Sequence, residues 1–150
     1  MKSRQIQIDK FKVFLPQWWQ DISDSNPDGP QTFVDGRLDE PGVLQVSTVT
    51  YISGEKPDAD FQGLIKMSET LGLNNQFGTV VNRSFGTCRI GKYGMVEFSG
   101  HKFPYISVWH LTNGKDFVFA TFICSRNPEA SEVDEVKEML LNIKKKVSLF

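Results

Sequence analysis

Residues 105 to 124 read Tyr-Ile-Ser-Val-Trp-His-Leu-Thr-Asn-Gly-Lys-Asp-Phe-Val-Phe-Ala-Thr-Phe-Ile-Cys, two apolar runs on either side of Asn113-Gly114. Asn-Gly favours the type I′ turn of a two-residue β-hairpin, and the pairing of the two strands follows by counting outward from it. The predicted pairs include Leu111 with Asp116, Val108 with Phe119, and Trp109 with Val118. Both faces of the strand pair are apolar, which is typical of strands in the middle of a sheet that is covered on both sides.

The rest of the chain supplies further strand patterns and two helix patterns. Besides the central pair, strands are predicted at residues 6–15, 32–34, 43–52, 79–90 and 95–99. The first helix begins at Asp58 or Asp60, which cap its free amides, and ends at Gly72. The second begins at Asn127-Pro128 and carries Lys144 to Lys146 in its last turn. These patterns predict an α+β fold, with a central antiparallel sheet of about six or seven strands covered by two main helices.

Length and charge limit the possible classes of function. A chain of 150 residues is predicted to form one domain, residues 1–150, with a core of its own. Eighteen acidic and seventeen basic residues give a net charge of −1, so neither a nucleic acid nor a membrane is expected as a partner, because both attract a basic face. The first nine residues lack the apolar core of a signal peptide, which predicts a cytoplasmic protein.

The cysteines and histidines form no recognisable catalytic motif. Cys88 and Cys124 lack the spacing of a zinc site and are expected to be buried thiols. Cysteine–histidine catalysis requires both side chains on one side of the sheet, but the hairpin register places His110 and Cys124 on opposite faces. His101 could share the face of Cys124, although Pro104 leaves that register open. No catalytic residue and no cofactor is predicted.

Two motifs resemble ligand-binding loops. Residues 86–93 match the phosphate-binding pattern GxxxxGK[ST] except at Tyr93, and no helix pattern follows, so a structural turn is expected. Residues 24–29 have the D-x-N-x-D-G form of a calcium loop, with Asp35 at the twelfth position. Two prolines lie inside this loop and no helix patterns flank it, so a turn without metal is favoured and calcium binding remains the weaker alternative.

An acidic segment next to two tryptophans is the strongest candidate for a contact surface. Residues 20–42 contain six acids, one base and several prolines and glycines, which predicts an acidic loop. Trp18 and Trp19 precede it, and alternation along a strand predicts that one indole points inward while the other lies at the surface or under a loop. The predicted partner-binding residues are Trp18, Trp19, Asp21, Asp24, Asp28, Asp35, Asp39 and Glu40.

The order of the predicted elements resembles the PsbP-like fold. The resemblance rests on the opening segment that ends Phe14-Leu15-Pro16-x-x-Trp19, the strand Gly42-Val43-Leu44-Gln45-Val46-Ser47, a helix, a run of antiparallel strands and a closing amphipathic helix. Trp19-Gln20-Asp21 also resembles the opening of type VI secretion adaptor chaperones. The superfamily includes a photosystem II extrinsic subunit, a Ran-binding nuclear transport regulator and small bacterial proteins encoded beside secreted toxins. The resemblance implies an αβα sandwich that binds other molecules, and it transfers no catalytic or ligand residue.

These observations favour a non-enzymatic protein that binds another protein, for which an immunity protein or a secretion accessory factor of a toxin or effector is the specific expectation. Acidic loops steer basic partners, and a partly exposed indole supplies an interface anchor. The alternative is a small hydrolase or ligand-binding protein with a pocket between the sheet and a helix, and with His110 or His101 and Cys124 at its edge.

Overall fold

The computed structural model describes residues 3–25, 27–50 and 60–146. Within these ranges the chain forms ten β-strands and two α-helices: β1 (Ser3–Ile8), β2 (Phe11–Pro16), β3 (Trp19–Asp21), β4 (Gln31–Asp35), β5 (Val43–Thr50), α1 (Phe61–Asn74), β6 (Thr79–Cys88), β7 (Gly91–Ser99), β8 (Tyr105–Thr112), β9 (Asp116–Cys124), α2 (Ala130–Leu141) and β10 (Lys144–Lys145). Seven strands form one sheet in the order β3-β4-β5-β9-β8-β7-β6, and β1, β2 and β10 form a second sheet. Every pair is antiparallel. The predicted α+β architecture is confirmed.

The central sheet is covered on both faces, as the two-sided apolar pattern of the hairpin predicts. On one face, α1 packs over β6, β7 and β8, and its Ile65 joins a cluster with Val108 and Phe98. On the other face, Trp109 and Val118 belong to a larger cluster built with α2 and the three-stranded sheet. Residues 106–112 of β8 are all buried. Within the ranges that the structure describes, neither helix is both long and apolar enough to span a membrane.

The central hairpin has the predicted faces but not the predicted register. Thr112 pairs with Phe117, so each residue lies opposite a partner two positions later than expected, for example Val108 opposite Thr121. The reason is the turn: only Gly114 has a positive φ, of 96°, whereas a type I′ turn requires it at Asn113 as well. Asn113 Oδ1 instead accepts hydrogen bonds from the amides of Lys115 and Asp116 and stabilises a longer loop.

The two ends of the chain also differ from their prediction. Residues 6–15 are not one strand, because Asp9 adopts a φ of 54° and turns the chain between β1 and β2 into a hairpin. Lys144 and Lys145 do not lie in the last turn of α2, which ends at Leu141; they pair with β2 as β10. The apolar residue before them, Ile143, is buried and holds this segment against the core.

The end of α1 and the turn between β6 and β7 also differ from their predicted positions. Gly72 does not end α1 but lies buried inside it, against Phe98, and the left-handed residue after the helix is Gln76, with a φ of 57°. Asp60 caps the helix through the amide of Gly63, as predicted, while Asp58 lies outside the described residues. The predicted strands 79–90 and 95–99 place the next turn at residues 91–94, but these residues belong to β7 and the turn is at Arg89-Ile90. The phosphate-loop-like motif is therefore part of a hairpin.

Candidate functional site

The structure divides the predicted acidic cluster into two groups. Asp24 and Asp28 precede β4, whereas Asp35 is its last residue and Asp39 and Glu40 follow it. Asp21, in β3, lies opposite Phe33 at the middle of β4. From Gln31 to Asp35, β4 spans about 13 Å, so the acidic residues before it are separated from those at its end. All are exposed except Asp35, which is buried. Trp19 pairs with Asp35 across β3 and β4, so the tryptophans lie with the second group.

One carboxylate, that of Glu135 on α2, joins the two tryptophans. Trp18 Nε1 donates to Glu135 Oε1 at 3.0 Å, and Trp19 Nε1 donates to Glu135 Oε2 at 2.9 Å. Trp19 is completely buried and Trp18 is half-buried. Trp18 lies in the link between β2 and β3 rather than in a strand, so its ring can turn toward the same helix as that of Trp19.

Arg37 connects this carboxylate to the sheet. Its guanidinium donates to both carboxylate oxygens of Asp35, at 3.0 and 2.7 Å, and to Glu135 at 2.9 Å. It also lies over the Trp18 ring, with Cζ 4.5 Å from the ring centroid. Burial disfavours the ionised form of Asp35, but the hydrogen bonds and charge of Arg37 outweigh it and hold the pKa of this carboxyl below its usual value. Asp35 therefore anchors Arg37 and has no surface left for a partner.

Next to these contacts is an open cleft of about 510 Å³. Its lining combines aromatic and aliphatic side chains with three charged ones: Ser3, Phe14, Pro16, Trp18, Arg89, Glu135, Glu138, Met139 and Asn142. We call it the Trp18 cleft. Elements from three parts of the fold form it, namely the three-stranded sheet, the β6–β7 turn and α2.

The cations around the cleft lie against its aromatic rings. Arg89 Cζ is 5.6 Å and Lys144 Nζ 5.5 Å from the centroid of the Phe14 ring. Together with Arg37 over Trp18 they form a surface in which aromatic faces and fixed charges alternate. Such a surface offers an apolar contact area beside orienting polar groups, and aromatic residues, methionine and arginine are the residues enriched at protein interfaces.

Sequence reasoning missed Glu135, Arg37 and Phe14. A signal for Glu135 existed, because it lies one turn from Met139 and one turn from the buried Glu132 on the inward side of α2. Glu132 accepts from the Gly42 amide and from Arg126. Acidic residues on the apolar side of an amphipathic helix require donors, and nothing local shows which donors they meet.

The residues of the hydrolase alternative are distributed over two faces. Cys124 belongs to the core cluster on the α2 side, whereas His110 shares the α1 side with Val108 and stacks on Phe119. His110 Nδ1 and Ser68 Oγ share a hydrogen bond of 2.8 Å, but Ser68 is completely buried within the helix–sheet contact. His101 is exposed. No group of three or more His, Cys, Asp or Glu side chains suited to hold a metal is present in the described ranges.

Comparisons with known proteins identify the fold. No family model matches the sequence, and no curated protein matches it significantly. Among solved structures, cyanobacterial PsbP (CyanoP) from Synechocystis aligns over 96% of this chain and 92% of its own, with a TM-score of 0.59 and 12% identity. A mutant of the protein Mog1 aligns over 97% and 96%, with a TM-score of 0.57 and 15% identity. A protein from Bacteroides thetaiotaomicron aligns over 99% of this chain and half of its own length, with a TM-score of 0.54 and 14% identity. The chain therefore has a PsbP-like fold.

Proposed function

We propose that this chain is a non-enzymatic protein-binding module and that its partner contacts the Trp18 cleft. The observation that carries the proposal is the cleft itself: an open volume of about 510 Å³ lined by Phe14, Trp18 and Met139, with Arg89 and Glu138 also lining it. Because the cleft is open to solvent, a side chain of another protein can enter it. Fold neighbours alone would not single out this surface.

The contacts around Trp18 favour binding because they fix the ring in advance. Its indole N–H is held by Glu135 and its face by Arg37. A preorganised aromatic side chain loses little conformational entropy when a partner packs on it, so more of the contact energy remains for binding. Trp19 supports this arrangement from the core, where it is fully buried.

The specific partner proposed is a toxin or effector protein, and the proposed place of action is the cytoplasm. The resemblance of the sequence to small bacterial proteins encoded beside secreted toxins supports this choice. Asp39 and Glu40, exposed on the connection that follows Asp35 and Arg37, would attract a partner with a basic contact surface.

Site-specific photo-crosslinking tests the proposed surface. A photoreactive amino acid replaces Glu138, which is exposed and lines the cleft, and in a matched control it replaces Gln62, which is exposed on α1 across the sheet. In cells that produce the protein, we expect one discrete protein adduct from position 138 and none from position 62. Equal labelling at both positions, or none at 138, would refute binding at the cleft.

Thiol labelling separates the binder from the hydrolase with a cysteine nucleophile. Burial raises the pKa of the Cys124 thiol to about 12 and also raises the pKa of Cys88. We therefore expect native protein to react with a maleimide at least about tenfold more slowly than protein in urea, since only the thiolate attacks. Fast labelling of Cys124 in the native state would favour the hydrolase.

A further inference from the structure

The two edges of the seven-stranded sheet differ in length and in protection. One edge is β3, with three residues, and the carbonyl of its Trp19 accepts a hydrogen bond from Arg4. The other edge is β6, with ten residues. Among residues 3–25, 27–50 and 60–146, β6 pairs with β7 alone. An edge strand directs every second pair of N–H and C=O groups away from its neighbour, so β6 can accept a further strand.

The side chains of β6 do not block such pairing. Proline and lysine, the residues that usually protect an edge, are absent from residues 79–88. Phe85 is 51% exposed and Val81 59% exposed. The one charged residue, Arg83, is bound to Glu69 of α1 at 2.6 Å, which neutralises part of its repulsion toward a second cation.

Phe85 and Arg83 project from the same side of the strand. Arg83 reaches Glu69, and the Phe85 ring packs on Phe61 with centroids 5.0 Å apart, so both side chains point toward α1. They are two positions apart, with Ser84 between them. In an antiparallel pair of two β6 strands centred on Ser84, Arg83 of each copy lies opposite Phe85 of the other.

We propose that β6 is a self-association edge, and that two copies of this chain pair antiparallel through it about a two-fold axis at Ser84. The partner is a second copy because the edge is self-complementary in this register: each guanidinium meets an aromatic ring, and Asn82 meets Gly86. A register centred on Arg83 would place two guanidinium groups directly opposite each other, which is unfavourable.

The contact is small, so the dimer is reversible. The ladder of β6 with β7 shifts register between Val80 and Asn82, and this irregularity limits regular pairing to residues 82–86 of each copy. Residues 82–86 span only about 13 Å, so the paired strands alone bury much less than the ~800 Å² that each partner buries in a standard interface. Dimers are therefore expected at high micromolar concentration and monomers below it.

Analytical ultracentrifugation of the full chain tests the association. The weight-average mass should rise from that of one chain toward that of two as the concentration increases. Phe85→Lys should remain monomeric, because a lysine would then face Arg83 of the second copy. The control Val49→Lys introduces the same charge at a residue that is 43% exposed on β5, which three strands separate from β6, and should associate like the wild type. A monomer at every concentration would overturn the proposal.

Disulfide trapping tests the register. In a Cys88→Ser background, Ser84→Cys places two cysteines opposite each other at the axis, within disulfide reach. Thr87→Cys on the same strand places them about 20 Å apart. Under mild oxidation we expect a covalent dimer from Ser84→Cys and none from Thr87→Cys, and Phe85→Lys should abolish the former. Trapping at position 87 in place of position 84, or pairing of β6 with a different protein in a chain that stays monomeric, would contradict the two-fold pairing.

Discussion

At the scale of single residues, Glu135 has the largest share of the contacts that shape the Trp18 cleft. Its carboxylate accepts from two indole groups and one guanidinium. These donors lie at Trp18, Trp19 and Arg37, about 100 positions from Glu135 in the chain. If Glu135 is removed, Arg37 can still donate to Asp35. The buried indole N–H of Trp19, in contrast, loses the carboxylate to which it donates. Loss of the Glu135 carboxylate should therefore affect the two tryptophans more than Arg37.

We expect Glu135→Ala to lower the free energy of unfolding by roughly 1–3 kcal/mol, because a buried indole N–H loses its acceptor. Tryptophan fluorescence should shift as Trp18 is released. Urea unfolding measures the first effect and an emission spectrum the second. The matched control is Glu138→Ala, one turn away on α2 with an exposed side chain, for which little change is expected. Equal stability of the two variants would contradict this role of Glu135.

His110 should make the stability dependent on pH. Burial lowers the pKa of His110 from 6.5 to about 4, so at pH 5 the unfolded chain binds a proton that the folded chain does not. The contribution is complete above about pH 6.5 and decreases as the pH falls toward 4, with a loss of roughly 2 kcal/mol at pH 5.

Urea unfolding at pH 7 and pH 5 measures this difference in wild type and variants. His110→Gln should remove most of the histidine contribution to the pH dependence, whereas His101→Gln, at an exposed position, should retain it. If the wild type and His110→Gln lose the same stability between the two pH values, the neutral buried imidazole of His110 is not the cause of the pH dependence.

At the scale of elements, the packing of α1 on the sheet overrides a local helix signal. Gly72 has the residue type of a helix terminus, yet the helix continues through it because α1 approaches β7 so closely that only a hydrogen fits. A Cβ at this position would lie 2.1 Å from Cζ of Phe98. The helix ends at Asn74, and the side chain of Asn75 donates to the carbonyl of Leu71.

Gly72→Ala is therefore expected to destabilise the protein by about 1–3 kcal/mol, although alanine favours helix formation. Thermal or urea unfolding tests the sign. The double variant Gly72→Ala/Phe98→Leu should recover part of the loss relative to the sum of the single variants, because the smaller side chain relieves the overlap. A stabilised single variant would show that helix propensity outweighs the steric overlap at this position.

At the scale of the whole molecule, the separation of the acidic groups leads us to expect that only some of these charges would steer the proposed partner to the cleft. Asp39 and Glu40 follow Arg37 in the same connection, whereas Asp24 and Asp28 lie at the other end of β4. The about 13 Å between the groups exceeds the Debye length of ~8 Å at physiological salt. The nearer group should therefore dominate.

Once a partner has been identified, Asp39→Asn/Glu40→Gln should lower the rate of association with it by about threefold and flatten the dependence of that rate on salt. Asp24→Asn/Asp28→Asn removes the same charge and should have a smaller effect. Stopped-flow or surface plasmon measurements at two ionic strengths distinguish them. An equal effect of the two double variants on the association rate would mean that only the total acidic charge matters, and not its distance from the cleft.

The layered α+β fold could be predicted because its signals are local. The two apolar runs around Asn113-Gly114 require cover on both faces, and face assignment depends only on whether positions are odd or even, so a register error of two residues left it correct. The register was not predictable in this way, because hydrogen bonds from the backbone to the Asn113 side chain stabilise a longer turn.

The amino-acid sequence alone determined the fold class and the buried central strands, and of the predicted contact residues it pointed to Trp18 in the lining of the proposed cleft. The tertiary structure decided which residues form that surface: it placed Trp18 against Glu135, which stands 117 positions away, buried Asp35 beneath Arg37 and separated the acidic residues into two groups. The physical reason is that hydrophobic periodicity reports only which residues of a single helix or strand share a face. A shared carboxylate or a cleft forms between elements that are far apart in the chain, and no local pattern indicates which elements will meet.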